Sequence, residues 1–159
     1  MIRFLEKSDI PDVLTIYQLG IDTGIATFET IAPSTDQWDI KFHPHLRYVF
    51  EENGDILGWV SLTPVSSRDV YKGVGEVTIY VHPHAQGKGV GSRLLLHLIE
   101  QAKLYGYWML QSSILEMNVA SIQLHKKSGF TIVGLRRGIA RINDQWVNTI
   151  LMEQHLILD

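Results

Sequence analysis

The stretch HPHAQGKGVG, residues 82–91, decides how the rest of the chain is read. Three glycines alternate with other residues just behind two histidines. That composition serves a phosphate cradle, a metal site or a plain turn. The flanks narrow the choice. EVTIYV, residues 76–81, is an apolar, β-branched run expected as a strand. On the far side Val90, Leu94, Leu98 and Ala102 recur every four residues, with Leu95 and Ile99 beside them and Arg93, Glu100 and Lys103 facing out. This predicts a long helix beginning near Lys88. The glycines therefore join a strand to a helix, where the first backbone N–H groups have no internal partner and the helix dipole is positive. Glycine lets an anion approach that backbone closely.

Working outward, the pattern alternates. Residues 2–5 (IRFL) are expected as a strand. A helix capped by Ser8 follows, through about Leu19, with Ile10, Val13, Leu14 and Tyr17 inward. GIATFETIAPSTDQW, residues 24–38, is a loop leading into a short helix capped by Ser34. LRYVFEENGDILGWVSL, residues 46–62, is two strands hinged at Asn53-Gly54. After the long helix, WMLQSSIL (108–115) is a strand, and Asn118 caps a helix ending near Ser128, with Gly129 as its stop. The tail from Phe130 is strands turning at Asn143-Asp144. There is no internal repeat or linker. The reading is one mixed α/β domain over residues 1–159.

Bulk properties exclude several classes. The 159 residues are 45% hydrophobic and 19% charged with net charge −3, as in an ordinary globular protein that buries its own core. No block of basic residues offers a face for nucleic acid or an anionic membrane. There is no cysteine, hence no disulfide, zinc-thiolate or cysteine nucleophile. No apolar run approaches the ~18 residues of a membrane span. The N-terminus, MIRFLEKSDIPD, lacks the apolar core of a signal peptide. A soluble cytoplasmic domain is expected.

Spacing then tests the glycine loop. A P-loop needs Lys-Ser/Thr after its last glycine, and the chain reads Gly89-Val90-Gly91-Ser92. A dinucleotide fingerprint needs G-x-G-x-x-G and an acid about twenty residues on. The glycines fall as G-x-G-x-G, and Gln111 stands at the acid's place. The remaining pattern, Q-x-x-G-x-G at Gln86, Gly89 and Gly91, resembles the pyrophosphate-binding signature of the GNAT family of N-acetyltransferases. NVASIQLHKKSGF, residues 118–130, resembles that family's second motif, and the order of elements matches over nearly the whole chain. A closer resemblance is to the phosphinothricin-type branch, in the glutamate of EVTIYV, the loop GIATFETIAPS and the histidine of LHKKSGF. The branch's late tryptophan-x-aspartate is half present, because Trp146-Val147 is followed by Asn148.

The resemblance implies a GNAT fold: a central mixed, mostly antiparallel twisted sheet with about four flanking helices. It implies acetyl-CoA as cosubstrate and a small-molecule primary amine as acceptor, of the phosphinothricin or methionine sulfoximine kind. Amide formation from a thioester needs a neutral amine, a stabilised oxyanion and a protonated thiolate. Glu76, a carboxylate opening an otherwise apolar strand, suits the general base, acting directly or through a water. His125 stands where many family members have a tyrosine, and either protonates the thiolate, bonds the cofactor sulfur, or is a helix histidine held by a neighbour. Backbone of Ile79, Tyr80 and Val81 is implied to meet the pantetheine arm, with the Val81 N–H as oxyanion donor. The N–H groups of Gln86, Gly87, Lys88, Gly89, Val90, Gly91 and Ser92 would hold the pyrophosphate, and Asn118 would bond the pantetheine. Phe28 and Glu29 in the early loop, with Arg68, Tyr71 and Lys72 before the fourth strand, are implied to line the acceptor cleft. The branch's habit implies a homodimer.

Other readings remain. His43-Pro-His45 and His82-Pro-His84 present four imidazoles, but the prolines favour turns over a zinc site, and no metal is expected. A protein acetyltransferase acting on an N-terminus or lysine, and a non-catalytic acyl-CoA-binding module, are the alternatives to a small-molecule enzyme.

Overall fold

The computed structural model describes residues 1–157. Leu158 and Asp159, the end of the domain as read from sequence, lie outside the described residues. The strands are β1 (Ile2–Phe4), β2 (Arg47–Glu52), β3 (Asp55–Pro64), β4 (Val74–Val81), β5 (Met109–Leu115), β6 (Thr131–Ile142) and β7 (Gln145–His155). The helices are α1 (Ile10–Asp22), α2 (Thr35–Lys41), α3 (Val90–Leu104) and α4 (Val119–Lys127). The seven strands form one sheet in the order β1-β2-β3-β4-β5-β7-β6. Every neighbouring pair is antiparallel except β4 and β5, which run parallel. This is the mixed, mostly antiparallel architecture with four helices expected from the sequence.

Two apolar clusters cover the two faces of the sheet. On one, Leu94, Leu95 and Leu98 of α3 pack with Val60, Leu62, Val77 and Leu110. On the other, Ile10, Val13, Ile16 and Tyr17 of α1 join Trp38 and Phe42 against Val49 and Trp59. Alternation along β4 sorts its side chains between them: Val77, Ile79 and Val81 meet the α3 side, and Tyr80 meets the α1 side with Glu76 and Thr78 on its face. Arg47, 5% exposed, ties α2 down by donating to the Asp39 carboxylate and to the carbonyls of Asp39, Phe42 and His43.

Two helix starts differ from the sequence reading. Residues 7–9 form a 3-10 turn and α1 begins at Ile10, so Ser8 is not its cap. The cause is Asp9, whose carboxylate accepts the Glu6 N–H (2.8 Å) while Arg3 grips it from β1 at 2.8 and 2.9 Å. That guanidinium holds the Asp9 carboxyl below the usual carboxylate range. The helix also continues past Leu19 to Asp22. The long helix starts at Val90 rather than near Lys88, because Gly89 sits at φ +79°, outside helical space. Both hairpins turn where expected, at Asn53-Gly54 (φ 54° and 83°) and Asn143-Asp144 (φ 50° and 65°).

Candidate active site

β4 and β5 pair only at Val74↔Met109, Gly75↔Leu110 and Glu76↔Gln111, then part. β3 continues to cover the other edge of β4 up to Val81. The His82 N–H bonds the Leu57 carbonyl at 2.8 Å, which fixes the alternation: even-numbered residues of β4 spend their backbone groups on β3. Ile79 and Val81 therefore turn N–H and C=O toward the opening, where no strand meets them, and so does the Val77 C=O, its N–H being used in the last pair with β5. Buried backbone groups seek partners. An extended, amide-bearing chain laid in this gap would supply them.

The gap opens into a cleft of about 840 Å³, within the size range of small-molecule sites. Gln86, Gly87, Gly89, Val90, Gly91 and Ser92 line one end. Gly89 is left-handed, and a Cβ built on Gly87 or Gly89 would meet nothing within 4 Å, so open space stands over the loop. The first N–H groups of α3 face that space, a ready anion site. Lys88 is not among the lining residues. Asn118 is, and it also caps α4, its Oδ1 accepting the Ser121 N–H at 3.3 Å.

Glu76 lines the cleft where the strands part. Its Oε1 accepts from Gln111 Nε2 at 3.1 Å, directly across the last parallel pair. His125, 2% exposed, lines the same cleft from α4. Its Nδ1 lies 2.7 Å from the Ser121 carbonyl, which only accepts, so Nδ1 bears the proton. Nε2 then carries a lone pair, and accepts from the Ser112 hydroxyl at 2.9 Å. Burial lowers the His125 pKa, partly offset by the Ser121 bond, and keeps the ring neutral. The resting imidazole is thus a hydrogen-bond acceptor at Nε2.

Tyr17, Gly20, Thr23, Thr27, Glu29 and Tyr80 also line the cleft, on the α1 side. Tyr80 stacks on Tyr17 (4.8 Å between centroids) and on Trp59 (5.4 Å). Burial and nearby Glu29 push the Tyr17 pKa up to about 12, and burial raises that of Tyr80 further, so both phenols remain hydrogen-bond donors. Gly20 is required here: a Cβ on it would come within 2.4 Å of the Tyr80 ring.

Of the residues expected at the acceptor, Glu29 lines the cleft and Phe28 does not. Arg68, Tyr71 and Lys72 lie outside the lining, on an exposed 3-10 turn where Arg68 stacks over Tyr71 (5.3 Å) and Lys72 nears Asp69 (4.0 Å). Asn148 is engaged away from the cleft, accepting from the Gly138 N–H (2.9 Å) and donating to Glu116 (3.1 Å), a donation aspartate could not make. Sequence reasoning missed Ser112, Gln111, Tyr17 and Gly20. No pattern in the sequence of α1 or β5 singled them out.

The histidine pairs are turn devices. His82 Nδ1 accepts the His84 N–H (3.1 Å), and His43 Nδ1 accepts the His45 N–H (3.0 Å). Among the described residues no group of three or more His, Cys, Asp or Glu is placed to hold a metal. Nor is any described helix long and apolar enough to cross a membrane.

The family model for the acetyltransferase (GNAT) family matches residues 13–130. The chain belongs to the GNAT family. It is 32% identical to an L-methionine sulfoximine/L-methionine sulfone acetyltransferase of Salmonella typhimurium, over 98% of this chain and 94% of that one. It is 30% identical to a phosphinothricin N-acetyltransferase of Alcaligenes faecalis, over 98% of this chain and 82% of that one. Among solved structures, yncA of Salmonella typhimurium with its cofactor acetyl-CoA superposes with a TM-score of 0.91 at 31% identity, covering 99% of this chain and 94% of that one. The chain is an acetyl-CoA-dependent N-acetyltransferase of that family.

Proposed function

We propose that the protein acetylates the primary amine of a small amino-acid-like molecule, of the methionine sulfoximine or phosphinothricin kind, by direct transfer from acetyl-CoA. The parting of β4 from β5 above the glycine loop is the observation that carries this reading. N–H groups from Gly87 to Ser92 hold the pyrophosphate, and Ile79 and Val81 pair with the pantetheine amides, Tyr80 being the strand residue between them. Asn118 bonds the same arm.

Glu76 accepts the proton from the incoming amine, held in place by Gln111. The Val81 N–H donates to the developing oxyanion. Because Glu76 projects on the α1 face, the amine enters from that side, past Tyr17, Thr27, Glu29 and Tyr80. The two phenols suit an acidic group on the acceptor.

The enzyme acts as a single cytoplasmic domain and as a homodimer. The edge hairpin β6–β7 supports the latter, with Ile132, Val133, Leu135, Ile139 and Trp146 exposed on it. Purified protein mixed with acetyl-CoA and a panel of amino acids, amines and peptides, with free thiol followed, tests the reading. Thiol release with methionine sulfoximine or phosphinothricin is expected. Release only with peptides would favour a protein acetyltransferase, and CoA binding without release would favour a binding module.

A further inference from the structure

Ser112 has no role in the proposed transfer beyond its bond to His125, yet its place is specific. It is the first residue of β5 beyond the last pair with β4, it is 2% exposed, and it lines the cleft. Its side chain shares a face with Leu110 and Ile114, which pack in the α3 cluster. Glu76 projects on the opposite face. The base and Ser112 thus flank the opening between the strands from its two sides.

The hydroxyl proton is also located. The Ser121 carbonyl fixes the His125 proton on Nδ1, so the 2.9 Å contact between Ser112 Oγ and Nε2 is a donation from serine to histidine. A serine hydroxyl can rotate about its C–O bond to another acceptor at little cost. A neutral O–H···N bond is weaker than a donation to an anion.

We infer that Ser112 is a catalytic residue on the leaving-group side: its hydroxyl, parked on His125 in the resting enzyme, turns to donate to the CoA sulfur as the C–S bond breaks. This rests on the acetyl-CoA reading above, which lays the thioester beside Glu76. The amine lone pair forms the C–N bond and the amine proton passes to Glu76. The C–S electron pair leaves on sulfur, and the thiolate, held by the Ser112 donation, takes its proton from solvent. No proton is required of His125, whose neutral ring has none on Nε2; it orients the hydroxyl. The donation is made only when negative charge develops, so it favours the transition state over bound acetyl-CoA.

Two variants test this, Ser112→Ala and Ser112→Thr, each examined in turnover and in the binary complex with CoA. Ser112→Ala is expected to lower kcat at least about ten-fold with KM for acetyl-CoA within two-fold, and Ser112→Thr, which keeps the hydroxyl, to recover most of the loss. In the binary complex, thiolate absorbance should show the bound CoA thiol titrating at lower pH in the parent and in Ser112→Thr than in Ser112→Ala. An identical thiol titration in all three, or an unchanged kcat in Ser112→Ala, would overturn the role of Ser112. Failure of the parent to bind CoA would instead overturn the acetyl-CoA reading itself.

Discussion

The glycine loop at residues 86–92, the proposed cofactor cradle, and the proposed acceptor end around Tyr17 and Tyr80 share one cleft but are made by different means. The cradle is backbone: left-handed glycines and the bare N–H groups that open α3. Its ligand chemistry follows from local conformation. The acceptor end is side chains brought from α1, the loop after it and β4, and it depends on packing across the sheet. Backbone sites are tolerant of which residues surround them, whereas a packed side-chain wall is not. One half of the cleft can therefore stay fixed in function while the other changes what it admits.

The junction between the halves is the most sensitive point. Replacing Glu76 by Gln is expected to lower kcat by about a hundred-fold or more while leaving CoA affinity within two-fold, measured by steady-state kinetics and calorimetry. Unchanged turnover would remove Glu76 as the base. Next comes the acceptor wall. Gly20→Val places atoms where the Tyr80 ring now lies, and should cost about 1–3 kcal/mol of stability in denaturant titration, with a raised acceptor KM. The cradle responds less in stability and more in cofactor. Gly89→Val must hold φ near +79°, at about 1–2 kcal/mol, and is expected to weaken CoA binding roughly ten-fold without altering acceptor KM. If acceptor KM moved instead, the two halves would not be separable. The smallest effect is expected at the exposed turn. Arg68→Ala with Lys72→Ala should change acceptor KM by less than about two-fold, since neither residue lines the cleft. A ten-fold rise would bring that turn into the site.

The same contrast governs what could be read from the chain. Both hairpins were legible because Asn-Gly and Asn-Asp tolerate the positive φ that such turns require. The open glycine loop between β4 and α3 was legible because glycine tolerates the left-handed backbone found at Gly87 and Gly89. The start of α1 was not: Ser8 is a good cap in isolation, but Arg3 of β1 draws Asp9 into a preceding turn, a contact local propensity does not contain. Nor was the Ser112–His125 pair, which joins a strand to a helix thirteen residues on through the fold. His125 stood out as a candidate, but its protonation is set by the Ser121 carbonyl and by burial, neither of which sequence spacing reveals.

A crystal structure of the protein with CoA tests the central claim most directly. The pyrophosphate should sit on the N–H groups between Gly87 and Ser92, and the pantetheine should pair with Ile79 and Val81 in the gap between β4 and β5, its sulfur near Glu76 and Ser112. CoA bound elsewhere, or a gap that stays closed to it, would contradict the account.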